Sequence, residues 1–419
     1  MDVKKLCSLI DENKQELFEL LCSFVKINSE NYRNSGNEEA MAKVVHQMCL
    51  DLGMESDMYS PLDIEGFEDH PDYLPGRNLE NRYNVTARWV GENNEDSLMI
   101  MGHTDTVEFG DLKNWDFDPL AGEIKDGKIW GRGACDDKYA LATALFLIKL
   151  LKDNGFNPKK NLLFSAYSDE EHGGSHGALA AVLKYPCPKI VNMDGRSEVW
   201  NVASGGQEAI YTYHTKDTVD SAKLTARAIP VIMDEIEKFA LRRKNELAEN
   251  RFYKGTIIPD TSLRYMNVQA GNHGTDLGVG ELFFTYYTDK SKEEIYAEFE
   301  EMNKEICEKL EPMGLIGDGF KPRTRFFHYV YAEPDCEDIL NLVAAGKEAV
   351  GKDIKVCGSC LSDLSVISKY GSSNAFAFGA GRDFSLPGGA HQPNEFIECD
   401  SLVEYAKIIG AYILKTLGE

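Results

Sequence analysis

Positive charge is scarce in this 419-residue chain, where 45 Lys and Arg stand against 69 Asp and Glu for a formal net charge of −24 at pH 7. That balance excludes binding along a nucleic-acid backbone and docking on an anionic membrane, both of which need clustered cations. It says little about a small substrate, because a bound metal can invert the field locally. No apolar run is long enough to span a bilayer, and Met1-Asp2-Val3-Lys4-Lys5-Leu6 lacks the apolar stretch of a secretory leader, so a cytoplasmic location is expected. A disulfide framework is not expected either, since the 10 cysteines come without such a leader and read as reduced thiols. Cys357-Gly358-Ser359-Cys360 has metal-like spacing but no second pair, which leaves coincidence or buried thiols as its reading.

The composition, 43% hydrophobic and 27% charged, is that of an ordinary soluble globular protein. Its length is large for one core and predicts two domains, or one domain carrying an insertion. Helical spacing of Leu9, Leu17, Leu20, Leu21, Phe24 and Val25 predicts an amphipathic helix over residues 8–28, and a second is expected over 38–52, ending before Gly53. Residues 60–79, rich in Pro, Gly and acids, read as a surface loop. Strands follow at 83–90 and 97–101, then at 128–130, a helix over 140–151, and further apolar strands at 161–167 and 189–193.

Each of these runs leads into acids. The strand at 97–101 delivers the chain to Gly102-His103-Thr104-Asp105, and open α/β sheets place ligand sites at strand carboxyl ends. Residues two apart in extended chain point the same way, so Asp105 can reach the second nitrogen of His103, as in a metal-oriented imidazole; alone, such a pair is more often a surface or structural one. Gly131-Arg132-Gly133-Ala134-Cys135-Asp136-Asp137-Lys138 turns sharply and displays two carboxylates before a helix, where an N-cap is the plain alternative. The strand at 161–167 ends in Ser168-Asp169-Glu170-Glu171-His172, and three adjacent carboxylates after an apolar strand are costly to gather unless a cation or water neutralises them, with a plain acidic loop as the alternative. The strand at 189–193 ends in Asp194-Gly195.

From about Gly205 the pattern changes to β-α-β-β-α-β: strands at 209–216, 263–269, 281–287 and 323–331, with helices over 220–245 and 291–310. That order belongs to a ferredoxin-like unit, with Pro230 expected to kink the first helix or mark its start. Residues 205–328 therefore read as an inserted domain between 1–204 and 329–419. Beyond it come helices at 337–350 and 363–369, the strand 375–378, Gly388-Gly389-Ala390-His391-Gln392-Pro393-Asn394-Glu395, and a last helix over 402–417. His391 on its own has a structural reading as well as a catalytic one.

Taken together, His103-Thr104-Asp105, the run from Gly131 to Lys138, Asp169-Glu170-Glu171, Asp194 and Ala390-His391-Gln392-Pro393-Asn394-Glu395 resemble a zinc-peptidase family. It contains aminoacylase, acetylornithine deacetylase, succinyl-diaminopimelate desuccinylase, glutamate carboxypeptidase and the carnosinase-like dipeptidases. Trp115, Asp118, Pro119 and Asp126-Gly127-Lys128 match the segment between its first two motifs. The resemblance covers about residues 10–205 and 355–415. It implies an α/β zinc-exopeptidase-like catalytic domain, a mixed sheet flanked by helices, with an inserted ferredoxin-like lid. It further implies two zinc ions, with manganese or cobalt as alternatives, bridged by Asp136: His103 and Asp194 complete one site, Glu171 and His391 the other. Asp105 would orient His103, and Glu170 would act as general base on a metal-bridged hydroxide, after a cis Asp136–Asp137 peptide.

Departures lie in the lid. The family's lid histidine has no counterpart in Thr215-Lys216-Asp217-Thr218-Val219-Asp220, leaving His214 and His273 as candidates; Arg264 stands in for a carboxylate-binding arginine, and Tyr139 replaces a glycine. The expected activity is hydrolysis of an amide bond in a small N-acyl amino acid or short peptide, as deacylase, dipeptidase or carboxypeptidase. The inserted domain is the expected lid and homodimer surface. The altered lid motivates the alternative of a metal-binding, inactive relative that acts as a binding or regulatory protein.

Overall fold

Asp96–His103, Asn161–Tyr167 and Lys189–Asn192 are apolar almost throughout, which suits strands buried on both faces. In the structure, a computed structural model that describes residues 1–272, 276–358 and 360–418, they form the parallel centre of a mixed sheet. Asn84–Trp89 pairs antiparallel with Asn161–Tyr167 and carries Glu55–Tyr59 outside it, while Phe376–Ala377 adds parallel to Lys189–Asn192 on the other side.

Helices cover this sheet. Val3–Val25 packs against Lys138–Asp153 and Cys399–Gly418, and the latter also packs against Glu337–Val350. Leu6, Leu17, Leu141, Leu147, Ile409 and Ile413 are among the side chains they bury in one apolar core, at roughly 1.5–3 kcal/mol for each large side chain. Lys138–Asp153 is buried on nearly every face over its first eleven residues, as its Ala- and Leu-rich sequence permits. The first helix starts at Val3 rather than Ser8, because the Asp2 side chain accepts the Lys5 N–H at 2.7 Å and caps it.

The chain divides into two units. Met1–Val202, Tyr331–Cys357 and Val366–Glu419 form the first, and Ala203–Val330 with Gly358–Ser365 form the second. The second has its own core, in which Tyr211, Ile236, Phe239, Phe284 and Phe299 are buried. Its antiparallel sheet runs Leu263–Gly271, Val279–Thr288, Gly205–Thr215, Leu315–Pro322, and the helices Ser221–Glu249 and Lys292–Leu310 complete a β-α-β-β-α-β, ferredoxin-like order. Ser291 and Glu294 form a capping box at the start of the second helix.

Two local expectations are corrected. Ser221–Glu249 starts nine residues before Pro230 and runs through it, so Pro230 does not mark the start of the helix. The last strand is Leu315–Pro322, not 323–331; glycines at 314, 317 and 319 and Pro322 hide it in the sequence, and it is an edge strand with a register shift between Gly317 and Gly319. Phe326 and Phe327 are buried without belonging to a strand. Among the described residues no helix is long and apolar enough to cross a membrane.

Candidate metal centre

Because the central strands run parallel, their carboxyl ends share one edge of the sheet. His103 closes the first strand and pairs in register with Tyr167, after which the chain runs into Asp169, Glu170 and Glu171. Two residues beyond the Met101–Asn192 pairing lie His103 on one strand and Asp194 past the other. Asp136 stands before the helix Lys138–Asp153, and the Asp136–Asp137 peptide is cis, the geometry the resemblance implied. His391 arrives on the segment between Phe376–Ala377 and Phe396–Glu398.

These side chains converge on Asp136. The His103 Nε2 lies 3.1 Å from its Oδ1, the His391 Nε2 lies 3.1 Å from its Oδ2, and the same His391 nitrogen lies 3.0 Å from the Glu171 Oε2. His103, Asp136 and Glu171 each present one ligand-type atom, all within 4.8 Å of one another. Asp194 is not one of that three-residue group; it is half-buried, and its charge is felt at the buried Asp137 carboxyl, which burial, Asp194 and Asp136 push well above the usual carboxylate range. Glu170 is half-buried next to Glu171, and its charge reaches the His103 imidazole.

The electrostatics are those of a cation site. Burial opposes charge on His103, but hydrogen bonds to Asp105 and Asp136 and the field of Glu170 outweigh it and hold the imidazole well above its ordinary value. His391 is likewise pushed up to about 11 by Glu171 and Asp136 against the opposing effect of burial. The carboxylate of Asp136 is held well below the usual range by the two imidazoles, which overcome its own burial. Protons on the imidazoles therefore occupy the place of positive charge between the carboxylates. Imidazole and carboxylate donors facing both oxygens of one Asp are the donor set of a divalent ion such as zinc, so the residues fit the implied metals.

Asp105 does more than the sequence reading assigned to it. The His103 Nδ1 lies 2.9 Å from the Asp105 backbone carbonyl and 3.5 Å from its carboxylate, which leaves Nε2 facing Asp136. The same carboxylate accepts the N–H groups of Glu170 at 3.2 Å and Glu171 at 2.9 Å. It thereby links the imidazole to the turn that carries both glutamates.

Several residues behind this turn were missed. The buried Asn31 side chain donates to Asp105 at 2.9 Å, to the Glu171 carbonyl at 3.0 Å and to Asp169 at 3.3 Å. Asp169 also meets Arg77 and Arg82, each at 2.8 Å, and His176 at 2.5 Å, and the two guanidinium groups together with the His176 contact hold its carboxyl well below the usual range despite complete burial. Arg77 comes from the segment expected to be a surface loop; in the structure Phe67, Asp72, Leu74, Arg77 and Leu79 of that segment are buried. Turn-forming composition reports backbone preference, not exposure.

The lid candidates are engaged within the second unit: His214 Nδ1 lies 2.9 Å from the Asp318 Oδ1, and Arg264 hydrogen-bonds Tyr287. His273 lies outside the described residues.

Comparison with known proteins extends this picture. An uncharacterised metallohydrolase of Methanocaldococcus jannaschii is 24% identical over 376 residues, which cover 80% of this chain and 88% of the relative. Succinyl-diaminopimelate desuccinylase of Acinetobacter baylyi is 28% identical over 231 residues, 52% of this chain and 58% of the relative. The dipeptidase Dug1p of Saccharomyces cerevisiae shares the fold at a TM-score of 0.74 and 16% identity, covering 100% of this chain and 99% of that one. The model of peptidase family M20/M25/M40 matches residues 99–415, most of the chain and every residue of the cluster around Asp136, and the chain belongs to this family of metal-dependent hydrolases.

Proposed function

We propose that this protein is a two-metal amidohydrolase that cleaves one amide bond in a small N-acyl amino acid or a short peptide. The observation that carries the reading is the pair of imidazoles on opposite oxygens of a single carboxylate, His103 on Asp136 Oδ1 and His391 on Asp136 Oδ2, both at 3.1 Å. In this reading Asp136, His103 and Asp194 would hold one divalent ion, and Asp136, Glu171 and His391 would hold the other. Zinc is the proposed metal, with manganese or cobalt as alternatives, since affinity order and supply decide among them. When bound, such ions polarise the scissile carbonyl and lower the pKa of a water molecule.

The chain's own residues do the rest. Glu170 takes a proton from the attacking water and returns it to the departing amine, so that neither Ser nor Cys is needed as nucleophile. Asp105 fixes the ring of His103 and holds the Glu170–Glu171 backbone. The substrate range follows from the relatives, which include a desuccinylase and, by fold, a dipeptidase. We extend the proposal to residues 205–328 as a lid and homodimer surface; a chain that stays monomeric at every concentration in sedimentation would remove the dimer from it.

The test is hydrolysis of a panel of dipeptides and N-acyl amino acids by protein loaded with zinc, manganese or cobalt, alongside elemental analysis. Two ions per chain and turnover of at least one substrate class are expected. No more than one ion at saturation would sink the two-metal reading, and no turnover with any metal would sink the enzyme.

A further inference from the structure

Tyr139 lies three residues beyond Asp136, on the first turn of the helix Lys138–Asp153, and is fully enclosed. Its hydroxyl is 2.7 Å from the carbonyl of Met193 and 3.1 Å from the carbonyl of Gly195, the two residues that flank Asp194. Burial, together with Asp137, Tyr405 and Asp194, pushes the phenol well above its ordinary pKa, so it is a donor at any working pH. One proton is therefore shared between the carbonyls on either side of a single acid.

The surroundings are shaped to this hydroxyl. A Cβ at Gly379 would lie 2.1 Å from it, so only glycine fits there. The neighbouring Gly381 N–H donates to the Gly195 carbonyl at 2.8 Å, and Gly379 N–H donates to Arg196 at 2.8 Å, which brackets the same turn from its far side. The ring rests edge-on against Tyr405, with centroids 5.5 Å apart. Ring packing and hydroxyl thus have separable tasks.

We propose that Tyr139 is a positioning residue for Asp194: through its hydroxyl, the helix that follows Asp136 sets where the Asp194 carboxylate stands and hence how tightly one of the two metals is held. The inference rests on the two-metal reading above.

Tyr139→Phe removes the hydroxyl and keeps the ring. Zinc affinity is read by competition with a chromophoric chelator, and Tyr213→Phe serves as control, because Tyr213 also loses one buried hydroxyl-to-carbonyl bond, to Thr225 at 2.9 Å, but in the second unit. In Tyr139→Phe one zinc is expected to bind about 10- to 100-fold more weakly and the other as in the parent, with kcat falling and added zinc restoring most of it. Tyr213→Phe is expected to bind both ions as the parent does. Parent-like affinity for both ions in Tyr139→Phe overturns the proposal. So does a Tyr139→Phe chain that fails to fold even with zinc present, since a hydroxyl required by the whole fold is not one acting through Asp194. If the parent itself binds fewer than two zinc ions, the two-metal reading has failed instead.

Discussion

Arg132 and Glu395, 263 positions apart, meet in a buried ion pair 2.7 Å long. The other Glu395 oxygen accepts the Cys135 N–H at 2.9 Å, and Arg132 also reaches the Gln392 carbonyl at 3.3 Å. The segments that bear Asp136 and His391 are therefore tied together through Cys135, one residue before Asp136, and Gln392, one residue after His391. Removing one partner of a buried pair leaves an uncompensated charge, so Glu395→Leu is expected to cost about 3–5 kcal/mol of stability. Arg132→Met with Glu395→Leu should cost less than the sum of the single changes, because the double variant leaves no unpaired charge. Denaturant unfolding of the four chains measures this, and strict additivity would show that the pair is not coupled.

Asn31 gives a second prediction. Its amide nitrogen donates to Asp105, to Asp169 and to the Glu171 carbonyl. Asn31→Ala should lower zinc affinity or kcat by about 10- to 100-fold, the usual range for groups that support metal-binding side chains. Asn31→Asp should be worse than alanine, since it sets a third carboxylate against two others. Asn161 is the control: it is also buried and hydrogen-bonded, donating to Asp96 at 2.8 Å, but at the opposite end of Asn161–Tyr167. Equal losses in Asn31→Ala and Asn161→Ala would assign Asn31 to the fold alone.

Much of this was legible in the sequence, and the parts that were not share a cause. Asn161–Tyr167 and Lys189–Asn192 are apolar runs bounded by polar turns, so their extent and the acids beyond them could be read directly. His103, Glu171 and Asp194 come to one edge because the parallel strands that precede them end there, a rule that needs no coordinates, whereas Asp136 and His391 arrive on segments outside those strands. Arg77 and Arg82 carry no such signal. An arginine in a Pro- and Gly-rich stretch looks solvated until its carboxylate partner is known, and Asp169 is 92 positions from Arg77. Tyr139 was visible as a departure, but its partners are backbone carbonyls, which sequence patterns never report.

Metal binding should be coupled to pH with a definite sign. Neighbouring carboxylates raise both His103 and His391 above their ordinary pKa, so in the metal-free chain the imidazoles carry protons at neutral pH. A metal must displace those protons, and zinc binding at pH 7 should release them and weaken as the pH falls. Calorimetric titration in two buffers of different ionisation enthalpy counts the protons; zinc binding without release would mean that the imidazoles are neutral in the metal-free chain. Added zinc at 100 times its dissociation constant should also stabilise the fold by about 2.7 kcal/mol, lost on chelation.

The last prediction separates metal binding from chemistry at two adjacent residues. Glu171 is buried and faces His391 at 3.0 Å, whereas Glu170 is half-buried and is fixed through its backbone N–H to Asp105 at 3.2 Å. Glu170→Gln keeps the shape of the side chain but cannot accept a proton, so both metals should load nearly as in the parent while turnover falls by roughly 10²–10⁴-fold. Glu171→Gln should instead weaken one metal and lose activity that excess metal partly restores. Elemental analysis and steady-state kinetics on the two variants read both effects. Near-full activity in Glu170→Gln, or loss of a metal from it while Glu171→Gln keeps both, would reverse the roles, because a carboxylate that only bridges protons is dispensable for binding and one that only binds is dispensable for proton transfer.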